Sequence, residues 1–247
     1  ALIILSIILI AAPAGAVDYI GDVQRIRATH DDTLLQIMRD HNLGYVEIRA
    51  ANPGVDVWLP GQGMPIILPT RHILPDAPRE GVVINLAEMR MYVFTEEEPI
   101  TYPIGIGREG LNTPLGTTKI TRKKDGPSWR PTPRMRAEDP ELPAVVPPGE
   151  DNPLGTHALY LGWPAYLIHG TNRPWGIGRR VSSGCIRMYP EDIIKLFDKI
   201  PVGTKVTVVD QPVKLAVIDD VLFIEAHPGN SQLSDQVEEE GKVREYE

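Results

Sequence analysis

The 247-residue chain has almost no cysteine: Cys185 stands alone. A single thiol excludes an internal disulfide framework, so the fold must be held by its own core, and Cys185 is free, intermolecular or reactive. Excess positive charge is also missing. With 25 Lys and Arg against 33 Asp and Glu, the net charge is -8 and the pI near 5.3, which excludes the basic footprint that holds nucleic-acid phosphates. Aromatic residues are scarce, with only three Phe, while Pro (24) and Gly (22) are plentiful. That balance disfavours a helical bundle and favours short strands joined by turns. Beyond the first few residues no apolar run is long enough to span a bilayer. At this length one large domain and one small one can each bury a core.

The exception is the start of the chain. Leu2 to Ile10 is an apolar run, and Ala-Pro-Ala-Gly-Ala after it supplies Ala14 and Ala16 as the small residues of a cleavage site. Residues 1–16 therefore read as an export signal that lacks its own first residues, and the run is shorter than the roughly 20 residues a membrane span needs. The expectation is export with cleavage and no stable membrane insertion.

Residues 18–69 read as one small α/β unit. A strand is expected at Val23–Ile26, then a helix capped by Asp31, Asp32 or Thr33 with Leu34, Leu35, Ile37 and Met38 on a helical period. A second helix, Tyr45 to Ala51, runs into Asn52-Pro53-Gly54, and a strand closes the unit at Met64–Leu68. Residues 70–80, with Pro75 and Pro78, read as a linker. Strand signals then follow at 82–86, 90–94, 102–106, 117–122, 158–161, 166–169 and 206–209, with a helix from Pro190 to Lys199. Val213–Ile218 and Val221–Ala226 flank Asp219-Asp220 as a terminal hairpin, and 229–247 is a polar, acidic tail. The Pro-rich, charged stretch 123–152 is too long for an ordinary connection. It reads as a lid or groove wall, or as a solvated excursion.

Sixteen positions separate His169, in His169-Gly170-Thr171-Asn172, from Cys185 in Val181-Ser182-Ser183-Gly184-Cys185-Ile186-Arg187-Met188. Acyl transfer by sulfur needs a proton acceptor within hydrogen-bond reach and donors for the oxyanion. A histidine beside the thiol can take its proton and, as imidazolium, lower the sulfur pKa. Gly184 leaves room for a carbonyl and a free backbone, and Arg187 adds a positive charge two residues on. Spacing alone does not show which of the six histidines meets Cys185.

Two resemblances sharpen this reading. Asp32-Thr33-Leu34, Ile48-Arg49-Ala50-Ala51-Asn52-Pro53, Leu59-Pro60-Gly61 and Ile66-Ile67-Leu68-Pro69 resemble a LysM domain over 18–69, which implies binding of N-acetylglucosamine-containing glycans. The run from His169 to Asn172, then Gly176-Ile177-Gly178, then Val181 to Met188 is similar to the signature of YkuD-type L,D-transpeptidases. Val83 to Leu86, Arg90 to Phe94, Tyr102 to Gly107, Thr113-Pro114-Leu115-Gly116 and Asn152-Pro153-Leu154-Gly155 fall in that family's order. The resemblance implies a mainly β chain: a YkuD-like β-sandwich catalytic domain over 81–228, terminal hairpin included, preceded by the small α/β LysM domain.

The family's chemistry, carried onto this sequence, makes Cys185 the nucleophile and His169 its base. Cys185 attacks a tetrapeptide stem of peptidoglycan at diaminopimelate, expels D-alanine and forms a thioester that an amine resolves. Gly184 and the Cys185 backbone are implied as oxyanion donors, Arg187 as a substrate-orienting cation, and Gly170 and Ser183 as neighbours shaping the site. Ser183 stands where many members carry histidine. No metal or cofactor is implied. A carbapenem is expected to acylate the same thiol. The implied partners are peptidoglycan stems and glycan strands, with an outer-membrane lipoprotein lysine or a second stem as acceptor, and the implied compartment is the periplasm. Hydrolysis of the same stems, as an L,D-carboxypeptidase, and non-catalytic peptidoglycan binding are the alternatives. A LysM module so tethered is expected to raise local concentration without touching the acyl-transfer step.

Overall fold

The computed structural model describes residues 18–218 and 220–227. The export signal expected over 1–16 and the tail expected over 229–247 lie outside the described residues. Among the described residues no helix is long and apolar enough to cross a membrane.

The first unit begins with strands β1 (Tyr19–Ile20) and β2 (Gln24–Arg27). Helix α1 (Leu34–Asp40) starts at Thr33, whose hydroxyl accepts the Gln36 amide at 3.0 Å, the side-chain cap its sequence predicts. Helix α2 (Tyr45–Ala51) and strand β3 (Pro65–Leu68) follow, and β3 pairs antiparallel with β2. Leu34, Met38, Leu43, Ile48, Ile66 and Leu68 are fully buried together, so these 50 or so residues have an apolar centre of their own. Asn52, buried at the end of α2, receives the Ile67 amide on its carbonyl and donates to the Ile48 and Ile67 carbonyls, tying helix to strand.

The segment expected as a linker is instead pinned down. Strand β4 (His72–Ile73) pairs with β1, and Leu74 packs on Val83 and Tyr92. The reason lies in the next strand, β5 (Gly81–Asn85), where Val82-Val83-Ile84 has no polar alternation and is buried on both faces. Val82 and Ile84 face the main core, and the 72–74 segment covers Val83.

Strands β6 (Arg90–Phe94), β7 (Ile100–Pro103), β8 (Ile106–Gly107), β9 (Gly116–Asp125), β10 (His157–Leu161), β11 (Leu167–His169), β12 (Arg180–Ser182), β13 (Ile186–Arg187) and β14 (Lys205–Val209) complete the catalytic-size unit. The eight-stranded sheet runs β13-β11-β10-β9-β14-β5-β6-β7. The expected sandwich is realised as this single curled sheet. Its corner is β9, whose first half pairs with β14 and whose second half pairs with β10. The two ends meet where Gly105, just after β7, bridges to Arg187 of β13 and where β8 pairs parallel with β12.

Helix α3 (Pro133–Glu138) lies inside the long insertion, and helix α4 (Pro190–Lys199) turns Ile193 and Leu196 onto the core. The insertion is largely exposed but is tied at its neck. Trp129 and Val146 bridge across its neck, and fully buried Asn152 donates to the carbonyls of Pro127 and Pro147. Strands β15 (Val213–Ile218) and β16 (Val221–Ala226) form the terminal hairpin. Lys214 reaches inward from it to Glu88 at 2.6 Å, Glu225 at 3.1 Å and the Tyr92 hydroxyl at 3.0 Å.

Candidate active site

The register of two short strands sets His169 and Cys185 at neighbouring positions of the sheet. Strand β11 pairs parallel with β13, Ile168 beside Ile186 and His169 beside Arg187. Alternation along each strand then puts Leu167, His169, Cys185 and Arg187 on one face, with Cys185 one step before β13 and diagonal to His169. The sulfur lies 3.5 Å from the Ala165 carbonyl oxygen, and the Leu167 amide is directed at it.

His169 is buried, and its Nδ1 lies 2.6 Å from the Gly170 carbonyl. A carbonyl only accepts, so the Gly170 contact calls for the proton on Nδ1, the tautomer that leaves a lone pair on Nε2; the Leu154 carbonyl is a second acceptor beside the ring. Burial, with the Arg187 charge adding to it, brings the imidazole pKa from 6.5 down to about 4. The ring is therefore neutral at pH 7 and able to accept a proton. Burial pushes the Cys185 thiol up, against smaller opposing effects from the Leu167 amide and Arg187. Both shifts favour a neutral thiol and a neutral imidazole over the thiolate and imidazolium expected from the sequence.

Beside Gly184, the surroundings of the sulfur use Thr113 and Ser182, to which sequence reasoning assigned no role. Gly184 has φ +106, and a Cβ there would sit 2.8 Å from the Tyr166 ring. Thr113, buried, donates its hydroxyl to the Gly184 carbonyl at 2.9 Å. The Gly184 amide donates to the Ser182 hydroxyl at 3.1 Å, and that hydroxyl donates to the Cys185 carbonyl. Gly184 is therefore not the free donor expected of it. The Cys185 amide has no partner among the described residues and remains available to an oxyanion. Thr113 and Ser182 both fall inside runs quoted for the resemblance, which was the available signal for them.

Arg187 keeps a buried Nε without a hydrogen-bond partner among the described residues, while its backbone bonds Gly105 in both directions at 2.9 Å. Ser183 is half-exposed, and its hydroxyl has no partner among the described residues. Gly170 packs closely enough that a Cβ would meet Ile193 at 3.0 Å. Thr171 accepts the Arg173 amide and Asn172 donates to the Asp151 carbonyl, so these two close turns. Trp175 is 46% exposed. Tyr166 is half-buried against the core and its ring lies beside Gly184.

A cleft of about 350 Å³ opens beside Thr171 and Asn172, walled by Pro148, Gly149 and Glu150 of the insertion. Helix α3 of the same insertion is joined to the loop after β8 by Glu138 and Arg108 at 3.3 Å. Away from this region, His72, Glu88 and Glu225 bring three potential metal ligands within 4.8 Å of one another. The ammonium of Lys214 sits among them, bonded to Glu88, which makes this an internal ion network.

Residues 79–208 match the YkuD family, described as the L,D-transpeptidase catalytic domain. Among curated proteins, the probable L,D-transpeptidase YbiS of Escherichia coli K12 is 50% identical over 196 residues, 76% of this chain and 64% of that protein. The probable L,D-transpeptidase ErfK/SrfK of Salmonella typhimurium is 46% identical over 208 residues, 81% of this chain and 67% of its own length. The chain thus spans less than two thirds of YbiS. A solved L,D-transpeptidase from Mycobacterium smegmatis is similar at 24% identity and a TM-score of 0.42, over 53% of this chain and 58% of that one.

Proposed function

This chain belongs to the YkuD family of L,D-transpeptidase catalytic domains, and from that membership we propose that it transfers acyl groups of peptidoglycan tetrapeptide stems through a thioester on Cys185. The observation that carries the proposal is the parallel register of β11 and β13, with Cys185 and His169 on one face. The Nε2 lone pair of His169 takes the thiol proton as sulfur attacks the stem carbonyl. Charge developing on that carbonyl oxygen is met by the Cys185 amide. As the tetrahedral intermediate collapses, His169 returns the proton to the departing D-alanine amine, leaving a thioester. An acceptor amine then attacks, and the thiol is regenerated. Arg187, with its unpartnered Nε, suits a carboxylate of the stem. Gly184, through its left-handed backbone and lack of Cβ, keeps the approach to sulfur open, while Gly170 and Ser183 shape the flanks.

The same reading takes 18–69 as a LysM module that holds glycan strands, with its β2-α1-α2-β3 order and separate core as support. The run Leu2–Ile10 supports export to the periplasm. A lipoprotein lysine or a second stem serves as acceptor. The test is analysis of muropeptides after the chain is incubated with tetrapeptide-bearing peptidoglycan, with and without a lipoprotein C-terminal peptide. New peptide-linked or stem-to-stem products are expected. Tripeptides alone would replace transfer by hydrolysis, and unchanged material would leave only binding.

A further inference from the structure

The N-terminal unit does not hang from the rest of the chain. Its α1–α2 turn is set against the segment that carries the nucleophile, and it grips that segment on both sides. Before Cys185, the amides of Tyr45 and Val46 donate to the carbonyls of Ile177 and Gly178, each at 3.2 Å. The backbones touch glycine to glycine: a Cβ on Gly44 would lie 2.9 Å from the Gly178 Cα, and one on Gly178 (φ +75) would lie 2.1 Å from the Tyr45 nitrogen. The Arg179 guanidinium stacks 3.3 Å above the centre of the Tyr45 ring. After Cys185, Tyr189 donates its hydroxyl to the Leu43 carbonyl at 3.2 Å, and Glu191 takes Arg39 in a two-bond pair at 2.8 Å.

What lies between the grips is stiff. Gly178 donates to Ile104, the Arg179 carbonyl accepts from Ile106, the Ser182 carbonyl accepts from Arg108, and Arg187 bridges Gly105. A push on Gly178 is therefore passed along β12 toward Cys185 instead of being absorbed by loose chain. Gly44 has φ -94 and ψ 161, a backbone open to any residue, so its own conformation does not call for glycine. Close approach to Gly178 does.

We propose that residues 39–46 of the N-terminal unit are positioning residues for acyl transfer, a clamp that sets Cys185 against His169 by holding both flanks of the 177–191 segment. The proposal rests on the reading of Cys185 as the nucleophile, and it replaces the expectation of a module that acts only as a tether. Adding one methyl group at Gly44 requires a shift of roughly 0.5 Å, the tolerance within which catalytic geometry must be held, and a 1 Å misplacement costs about a hundredfold in rate.

The experiment uses the full chain as wild type, Gly44→Ala, Arg179→Met and, as a control, Leu59→Ser at an exposed site of the same unit. Each is mixed with saturating carbapenem, and the burst of acylation is followed by stopped flow and by intact mass. Positioning lowers the first-order rate constant, expected about tenfold for Gly44→Ala and several-fold for Arg179→Met, with the adduct still reaching one per chain and Leu59→Ser unchanged. Simple loss of folded protein lowers the amplitude and leaves the rate constant of the remainder intact. Wild-type rate constants in both clamp variants, or amplitude losses alone, overturn the proposal. Should Gly44→Ala not fold, the half-buried Arg179→Met decides by the same criterion. A wild-type protein that takes no adduct overturns the reading of Cys185 itself, a result distinct from equal rates in wild type and variants.

Discussion

Burial favours the uncharged form of both side chains proposed to react: the His169 pKa is brought down to about 4 and the Cys185 thiol is pushed up. His169 acts as base only when neutral, so acylation should keep its rate down to about pH 4–5, well below the 6.5 at which an exposed imidazole would switch off. A stopped-flow pH profile checks this. The same shift bears on stability. Between pH 6.5 and about 4 the unfolded imidazole binds a proton that the native one refuses, so stability is full above 6.5 and falls as pH drops, by about 3 kcal/mol at the lower end. His72, also buried and held well below its usual pKa, adds in the same direction. Urea midpoints at pH 7 and pH 4.5 should show the loss, and His169→Ala should show less of it. With one base, His169→Ala should cost about 10² to 10⁴ in acylation rate. Ser183→Ala, removing a hydroxyl without a partner among the described residues, should cost less than about tenfold. Equal losses at the two positions would put Ser183 in the proton path.

Elements with strong local patterns were legible from sequence: α2 over Tyr45–Ala51, α4 over Pro190–Lys199 and the hairpin strands Val213–Ile218 and Val221–Ala226 stand where periodicity and turn residues put them. The motif around His169 and Cys185 was legible too, because its residues are few and local. What could not be read depends on partners far away in the chain. Strand β4 exists because Val83 needs cover, and the neutral thiol follows from burial that spacing does not report. The docking of α2 joins Glu47 to Arg90, which is 1% exposed in β6, at 2.6 Å. Glu47 also accepts the Gly44 amide at 3.0 Å and lies 3.4 Å from His72. Removing Glu47 alone leaves a buried guanidinium short of its counter-charge, so Glu47→Ala should lose about 3–5 kcal/mol in urea denaturation. Glu47→Leu combined with Arg90→Met should recover most of that, since the pair's mutual attraction largely offsets its desolvation. A double variant as unstable as the single one would mean that the pair is not the link between the units.

At the scale of the molecule, one curled sheet brings its two ends together at Gly105 and Arg187, and Cys185 and His169, the proposed nucleophile and base, lie at that seam. The N-terminal unit closes on the same seam from outside, and the insertion walls a cleft beside it. The proposed function stands or falls on what the Cys185 sulfur does to a stem peptide. The direct measurement is intact mass of the protein, wild type and Cys185→Ala, after brief incubation with a disaccharide-tetrapeptide and no acceptor amine, with released D-alanine assayed in parallel. The account predicts one acyl adduct per wild-type chain, one D-alanine released for each adduct, and neither in Cys185→Ala. No adduct and no D-alanine from the wild type, or an adduct that persists in Cys185→Ala, would contradict it.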